Sequence, residues 1–293
     1  SMMRQLLESA AEDAPPHILY VTHSQELIKN MEENWVNTPG FSQTEVDFIA
    51  YSDLIPRSQD DKVLQGLDVF KAFEDWFKEY SKPTKQLGDA PDLDALVYQE
   101  FRMMSGYDVK EYLTFSERER LFSNQAYEYL YRALSDYTQY LLKKKLIDMS
   151  LASFVRKARY THVIVDEAQD FSTRQLIELS RMAENQQIVY FIDSNQSLCD
   201  NFSKLPCLKR LLKNKHDTII FSYSLRCSKA VMRLANDTLA LKYHVTGGLL
   251  EANAPKVLVP SPDASDGSII WTHELSVEQK TKMTQSVRVA VLC

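Results

Sequence analysis

Two short, uninterrupted runs, Val163-Ile164-Val165 and Ile188-Val189-Tyr190-Phe191-Ile192, stand either side of an amphipathic stretch from Arg174 to Ala183. A continuous β-branched or aromatic run without polar alternation suits a strand covered on both faces. Strand, helix, strand with a connection of this length is a βαβ unit, which forces the two strands to run parallel. Their carboxyl ends must then leave the sheet along one edge. That single constraint commits the chain to an α/β layer architecture.

The rest of the chain follows the same rhythm. Ile18-Leu19-Tyr20-Val21, bounded by Pro15-Pro16 and Thr22-His23-Ser24, reads as another buried strand, and Met3 to Ala11 before it is helix-like. Gln25 to Trp35 places Leu27, Ile28, Met31 and Trp35 at helical spacing, and Val46 to Tyr51 reads as an edge strand. Between the strands lies a region of helical character: Asp68 to Tyr80, Pro91 to Met104 and Asn124 to Ile147, each with an aromatic-rich apolar stripe suited to a core. Ser116-Glu117-Arg118-Glu119 has the capping-box pattern of a helix start. After 193, strands are expected at Thr218–Phe221, Ser268–Thr272 and Val287–Leu292, with a helix over Ser228–Thr238. The chain of 293 residues, about two domains' worth, therefore divides into 1–52 as the first part of one α/β lobe and 53–147 as a mostly helical insertion. Residues 148–215 complete that lobe, and 216–293 begin a second.

Composition narrows the function classes. With 44% hydrophobic and 25% charged residues the chain is globular rather than disordered. No apolar run reaches the roughly 18 to 20 residues of a membrane helix, and the N-terminus lacks a signal peptide's apolar core, so an intracellular protein without a membrane partner is expected. Cys199, Cys207, Cys227 and Cys293 have no CxxC spacing, so free thiols are expected rather than a zinc or disulfide framework. Residues 1–100 carry 8 Lys/Arg against 19 Asp/Glu, whereas the net charge of the whole chain is only -6; the remainder is basic, most densely from Lys204 to Arg233. Such a cluster suits phosphates, although a solvated helix face is the plainer reading of Lys204 to Lys215. None of the seven glycines precedes Lys-Ser/Thr, so the chain contains no GxxxxGK[ST] phosphate loop.

The chemistry-bearing residues sit where the strands end. Asp166 and Glu167 follow Val165 at the edge where open α/β sheets bind ligands. One carboxylate there suits Mg2+, a hard ion that keeps several waters, and the other suits orienting and deprotonating a water that attacks a γ-phosphate. Asp193-Ser194-Asn195-Gln196 leaves the next strand on the same edge. Gln196 there is a neutral amide able to meet both a phosphate oxygen and a lytic water.

In this order the motifs resemble those of the UvrD/Rep-like superfamily 1 helicases. Val165-Asp166-Glu167-Ala168-Gln169-Asp170 is similar to their Walker B box, and Asp193-Ser194-Asn195-Gln196-Ser197 to the Gly-Asp-x-x-Gln motif that follows. Ile18 to Ser24 resembles the strand and loop that touch single-stranded DNA, and Leu146 to Leu151 the segment leading into Walker B. Ser224-Leu225-Arg226-Cys227 with Ala235-Asn236 resembles the Asn-Tyr-Arg-Ser and Ala-Asn pattern of the second lobe, and Val289 to Leu292 one of its strands. The resemblance spans nearly the whole chain and implies a P-loop NTPase-type parallel sheet. It implies Mg2+ binding for Asp166, general-base action for Glu167, γ-phosphate sensing for Gln196, γ-phosphate contact for Arg226 and nucleic-acid contact for Thr22 and His23. ATP and Mg2+ are the implied cofactors of an intact protein, with a phosphate loop expected before residue 1 and a late arginine motif beyond 293. This chain alone is expected to bind neither and to hydrolyse nothing. Ile192, Ser224 and Leu225 depart from the family pattern, standing where it has glycine, asparagine and tyrosine. A different class of function, a helicase-like scaffold binding a protein partner through the helical insertion without ATPase activity, is the alternative that the acidic first third favours.

Overall fold

The computed structural model describes residues 16–37, 46–80, 87–116, 120–153, 159–193, 205–212, 217–219, 221, 223–246 and 259–269. The chain divides into two units, Ser1–Asp217 and Thr218–Cys293.

The first unit is built on a four-stranded, wholly parallel sheet in the order β2-β1-β5-β6, with β1 spanning Ile18–Thr22, β2 Val46–Ala50, β5 His162–Val165 and β6 Ile188–Tyr190. Every residue of β1 is buried, as an apolar run between two neighbouring strands requires. Side chains alternate across the sheet: Leu19, Val21, Val163 and Val165 enter one core, while Ile18, Tyr20 and Ile164 enter the other with Val46 and Trp35. The expected parallel βαβ unit is present, its crossover being helix α7 at Thr173–Met182.

Local chemistry explains the element boundaries. Helix α1, Gln25–Val36, starts at Ser24, whose Oγ accepts the Leu27 amide at 3.1 Å. Helix α2, Tyr51–Leu54, follows β2 directly, so Tyr51 belongs to the helix rather than to the edge strand. The insertion contains α3 at Leu67–Tyr80, α4 at Leu93–Met104, α5 at Val109–Tyr112 and α6 at Tyr127–Lys144. Its core is aromatic, with Phe73, Phe101, Tyr112, Tyr127 and Tyr137 all fully buried. Glu100 lies within it at 0% exposure, accepting the hydroxyls of Tyr112 and Tyr127 at 2.8 Å each and the Leu121 amide at 3.0 Å. Burial raises this carboxyl above its ordinary range, against the pull of those three donors. Beyond β6, helix α8 spans Leu205–Leu211.

Further expectations are corrected. Helix α6 does not run to Ile147: Lys145 adopts the left-handed conformation (φ 54°), ending the helix and freeing Leu146–Ile147 as β4, which pairs with β3 at Lys62–Val63. The strand at Ile188 stops at Tyr190. Of Thr218–Phe221, residues 218, 219 and 221 are not in a strand, and Ile219 and Phe221 are exposed. The helix at 3–11, the strand at 287–292 and residues 117–119 of the capping box expected at 116–119 lie outside the described residues; of the strand expected at 268–272, residues 268 and 269 are not in a strand and the rest lie outside the described residues. A capping box does occur elsewhere, at the start of α7, where Ser172 and Gln175 exchange backbone–side-chain hydrogen bonds.

In the second unit β7, Tyr223–Ser224, pairs in parallel with β8, Val259–Pro260. Helix α9, Lys229–Thr246, extends well past the expected Thr238. Among the described residues Cys207 and Cys227 are thiols not joined in disulfides, and no helix is long and apolar enough to cross a membrane.

Candidate functional site

β5 delivers Asp166 to the carboxyl edge while its backbone is still in the sheet: the Asp166 amide donates to Val21 O at 2.9 Å. The chain then turns sharply. Glu167 takes a left-handed conformation (φ 53°, ψ 44°) and a short 3₁₀ turn, Ala168–Asp170, follows. A non-glycine residue held there costs about 1 kcal/mol or more and persists only where its surroundings over-determine it.

Those surroundings are visible. The Glu167 amide donates to Asp166 Oδ1 at 3.0 Å, and the Tyr20 hydroxyl, from β1, donates to Asp166 Oδ2. Burial first, then Asp166 itself, drives the Tyr20 phenol far above its ordinary pKa, so it stays a proton donor to that carboxylate. Gln169, 2% exposed, donates from Nε2 to Glu167 Oε2 at 2.6 Å and accepts the Asp193 amide on Oε1 at 3.0 Å. The Ala168 amide donates to Phe191 O and the Phe191 amide to Val165 O, both at 2.8 Å. The exits of β5 and β6 are thus stitched to each other, and Gln169 is the strut between Glu167 and the start of the Asp193 segment.

Asp166, Glu167 and Asp193 therefore share one rim, as the parallel pairing requires, and each is only half-buried. Neither Asp166 nor Glu167 belongs to an ion pair among the described residues. Thr22, at the end of neighbouring β1, is 1% exposed, so its side chain points into protein and the following residue is the accessible one. His23 packs at a tilt against Phe171 with ring centroids 4.0 Å apart and faces Tyr51 at 5.7 Å, while more than a third of its surface meets solvent. Crowding of the ring, then the Arg102 charge, lower its pKa from the ordinary histidine value, and its open edge limits that shift by hydrating the charged form.

Gln196 falls outside the described residues. Arg226 is exposed in the bend between β7 and α9 of the second unit. Sequence reasoning missed Tyr20 and the strut role of Gln169. Gln169 sits two residues after Glu167, a spacing that a tight turn folds back on itself, and that was the available signal. Among the described residues no cluster of three or more His, Cys, Asp or Glu forms a metal cage. No protein-family model matches the chain, and no curated protein matches it.

Proposed function

We propose that this chain is the core of an ATP-driven translocase on single-stranded nucleic acid, of the UvrD/Rep-like superfamily 1 helicase kind, with a P-loop NTPase-type first lobe. The observation that carries this reading is the pair of adjacent carboxylates at the carboxyl edge of a parallel sheet. They are free of ion pairs among the described residues, and one of them is tethered through Gln169 to the exit of the neighbouring strand.

The donor set fits magnesium. After accepting from Tyr20 and from the Glu167 amide, each Asp166 oxygen keeps a lone pair, and magnesium sites typically use one or two carboxylates with water and phosphate oxygens. When bound, that ion neutralises charge developing on phosphate oxygens. Tyr20 fixes the orientation of Asp166. Gln169 occupies Glu167 Oε2 and leaves Oε1 to take a proton from an attacking water. A neutral amide makes a good tether here, because a cation on Glu167 would weaken it as a base. By the resemblance, Gln196 senses the γ-phosphate and Arg226 contacts it, a role its planar, permanently charged fork suits. His23 meets the nucleic-acid strand.

The test is ATP hydrolysis by the full-length protein carrying this sequence, with single-stranded nucleic acid present. Glu167→Gln abolishes turnover and leaves nucleotide binding intact; unaffected turnover removes Glu167 as base. Absence of both turnover and salt-sensitive strand binding in the unaltered protein would leave the partner-binding scaffold as the better reading.

A further inference from the structure

Arg102 lies in the last turn of α4, in the helical insertion, and is 5% exposed. A guanidinium is expensive to bury, and an apolar residue would pack a helix more cheaply, so its charge needs a specific counterpart. Its Nη2 donates to the backbone carbonyl of Asp170 at 3.0 Å. The Asp170 amide donates to Glu167 O at 3.0 Å, so Arg102 grips the residue that closes the turn begun by Glu167. The Arg102 charge also acts on the buried carboxyl of Asp148, which accepts Tyr98 Oη at 3.0 Å and the Ser150 amide at 2.9 Å.

The insertion is seated tightly against the helices that succeed both exit strands. At Gly106, just past α4, a Cβ would meet the end of the Ile177 side chain and lie 3.2 Å from the Arg174 backbone, so α4 ends in close approach to α7. Helix α8 is held as well: Tyr107 Oη lies 3.5 Å from Cys207 Sγ, and the Arg210 guanidinium sits 3.5 Å above the Phe115 ring.

We propose that Arg102 is a positioning residue, through which the helical insertion holds the Glu167–Asp170 turn in its strained, left-handed geometry. A strained residue relaxes unless its neighbours forbid it. Gln169 restrains the Glu167 side chain, and Arg102 restrains the far end of the turn with a charge-assisted bond that water displaces poorly. The catalytic consequence rests on the motor reading above, whereas the positioning does not.

Amide hydrogen exchange on the 293-residue chain, without nucleotide, tests it. Arg102→Met, which keeps the buried volume, accelerates exchange at Ala168, Asp170 and Phe171 by about tenfold or more while Tyr20, Val163 and Ile164 keep their rates, and Arg102→Lys recovers part of the protection. Unchanged rates in the turn, or equal acceleration through the strands, overturn the proposal. Should Arg102→Met fail to fold, the same three amides are read in Arg102→Gln, which removes the charge while keeping a polar end. Acceleration confined to them supports the proposal, and unchanged rates overturn it. Because no nucleotide is present, a negative result falls on Arg102 alone, whereas a negative Glu167→Gln result falls on the motor reading.

Discussion

The two edges of the sheet use the same pair of residue types in opposite ways. At the amino edge, Asp47 accepts the buried Tyr160 hydroxyl at 2.9 Å and lies 3.2 Å from His17 Nε2, whose ring packs 4.6 Å from that of Tyr160. At the carboxyl edge, Asp166 also accepts a buried tyrosine hydroxyl, but among the described residues its other partner is a backbone amide, and its neighbour Glu167 is held by a neutral glutamine. The first aspartate closes a local network. The second leaves two negative charges side by side on a strained turn, an arrangement that stability alone does not favour. Among the described residues neither carboxylate is paired with a cation, as the metal–phosphate site proposed above requires.

The largest expected difference is catalytic. In the full-length protein Glu167→Gln lowers ATP turnover by about 10²-fold to 10⁴-fold, whereas Asp47→Asn leaves it essentially unchanged; equal losses would erase the distinction between the edges. Stability runs the other way. Asp47→Ala removes the carboxylate that accepts the hydroxyl of Tyr160, a residue 1% exposed, and costs about 1–3 kcal/mol in urea denaturation. Asp166→Ala costs less, because losing the Tyr20 contact is offset by removing repulsion with Glu167, and a larger cost at Asp166 would contradict this.

The smallest effect is pH-dependent and belongs to His23. Its pKa in the folded chain is lowered, so the unfolded chain binds the proton more readily. Its stabilising contribution is present above the ordinary histidine pKa of about 6.5 and declines as pH falls below it. His23→Gln should flatten that part of the Tm-versus-pH curve. A curve of unchanged slope would show that the ring titrates as it does in the unfolded chain.

What could be read from the sequence was what short-range pattern determines. Val163–Val165 and Ile18–Val21 announced themselves as strands because burial on both faces removes polar alternation, and parallel pairing then placed Asp166, Glu167 and Asp193 on one rim. Long-range partners left no such trace. Tyr20 looked like one more apolar residue of β1, yet its hydroxyl reaches a carboxylate 146 positions away; Arg102 meets Asp170 across 68. The left-handed turn at Glu167 was hidden for a related reason: no glycine or asparagine marks it, since hydrogen bonds from other segments impose it. Leu146-Ile147 looked like a helix end, because apolar spacing continues smoothly across Lys145 although the backbone does not. Thr218–Phe221 has strand composition, yet Ile219 and Phe221 stay exposed, and composition alone does not supply a partner.

The proposed function requires a metal–nucleotide complex to enter at the carboxyl edge through Asp166. Electron paramagnetic resonance of Mn2+ titrated with ADP into the full-length protein measures this directly, comparing the unaltered protein with Asp166→Ala and Asp47→Ala. Affinity for the Mn2+–ADP complex should fall by about tenfold or more in Asp166→Ala and stay the same in Asp47→Ala. Undiminished binding in Asp166→Ala, or an equal loss in Asp47→Ala, would contradict the account.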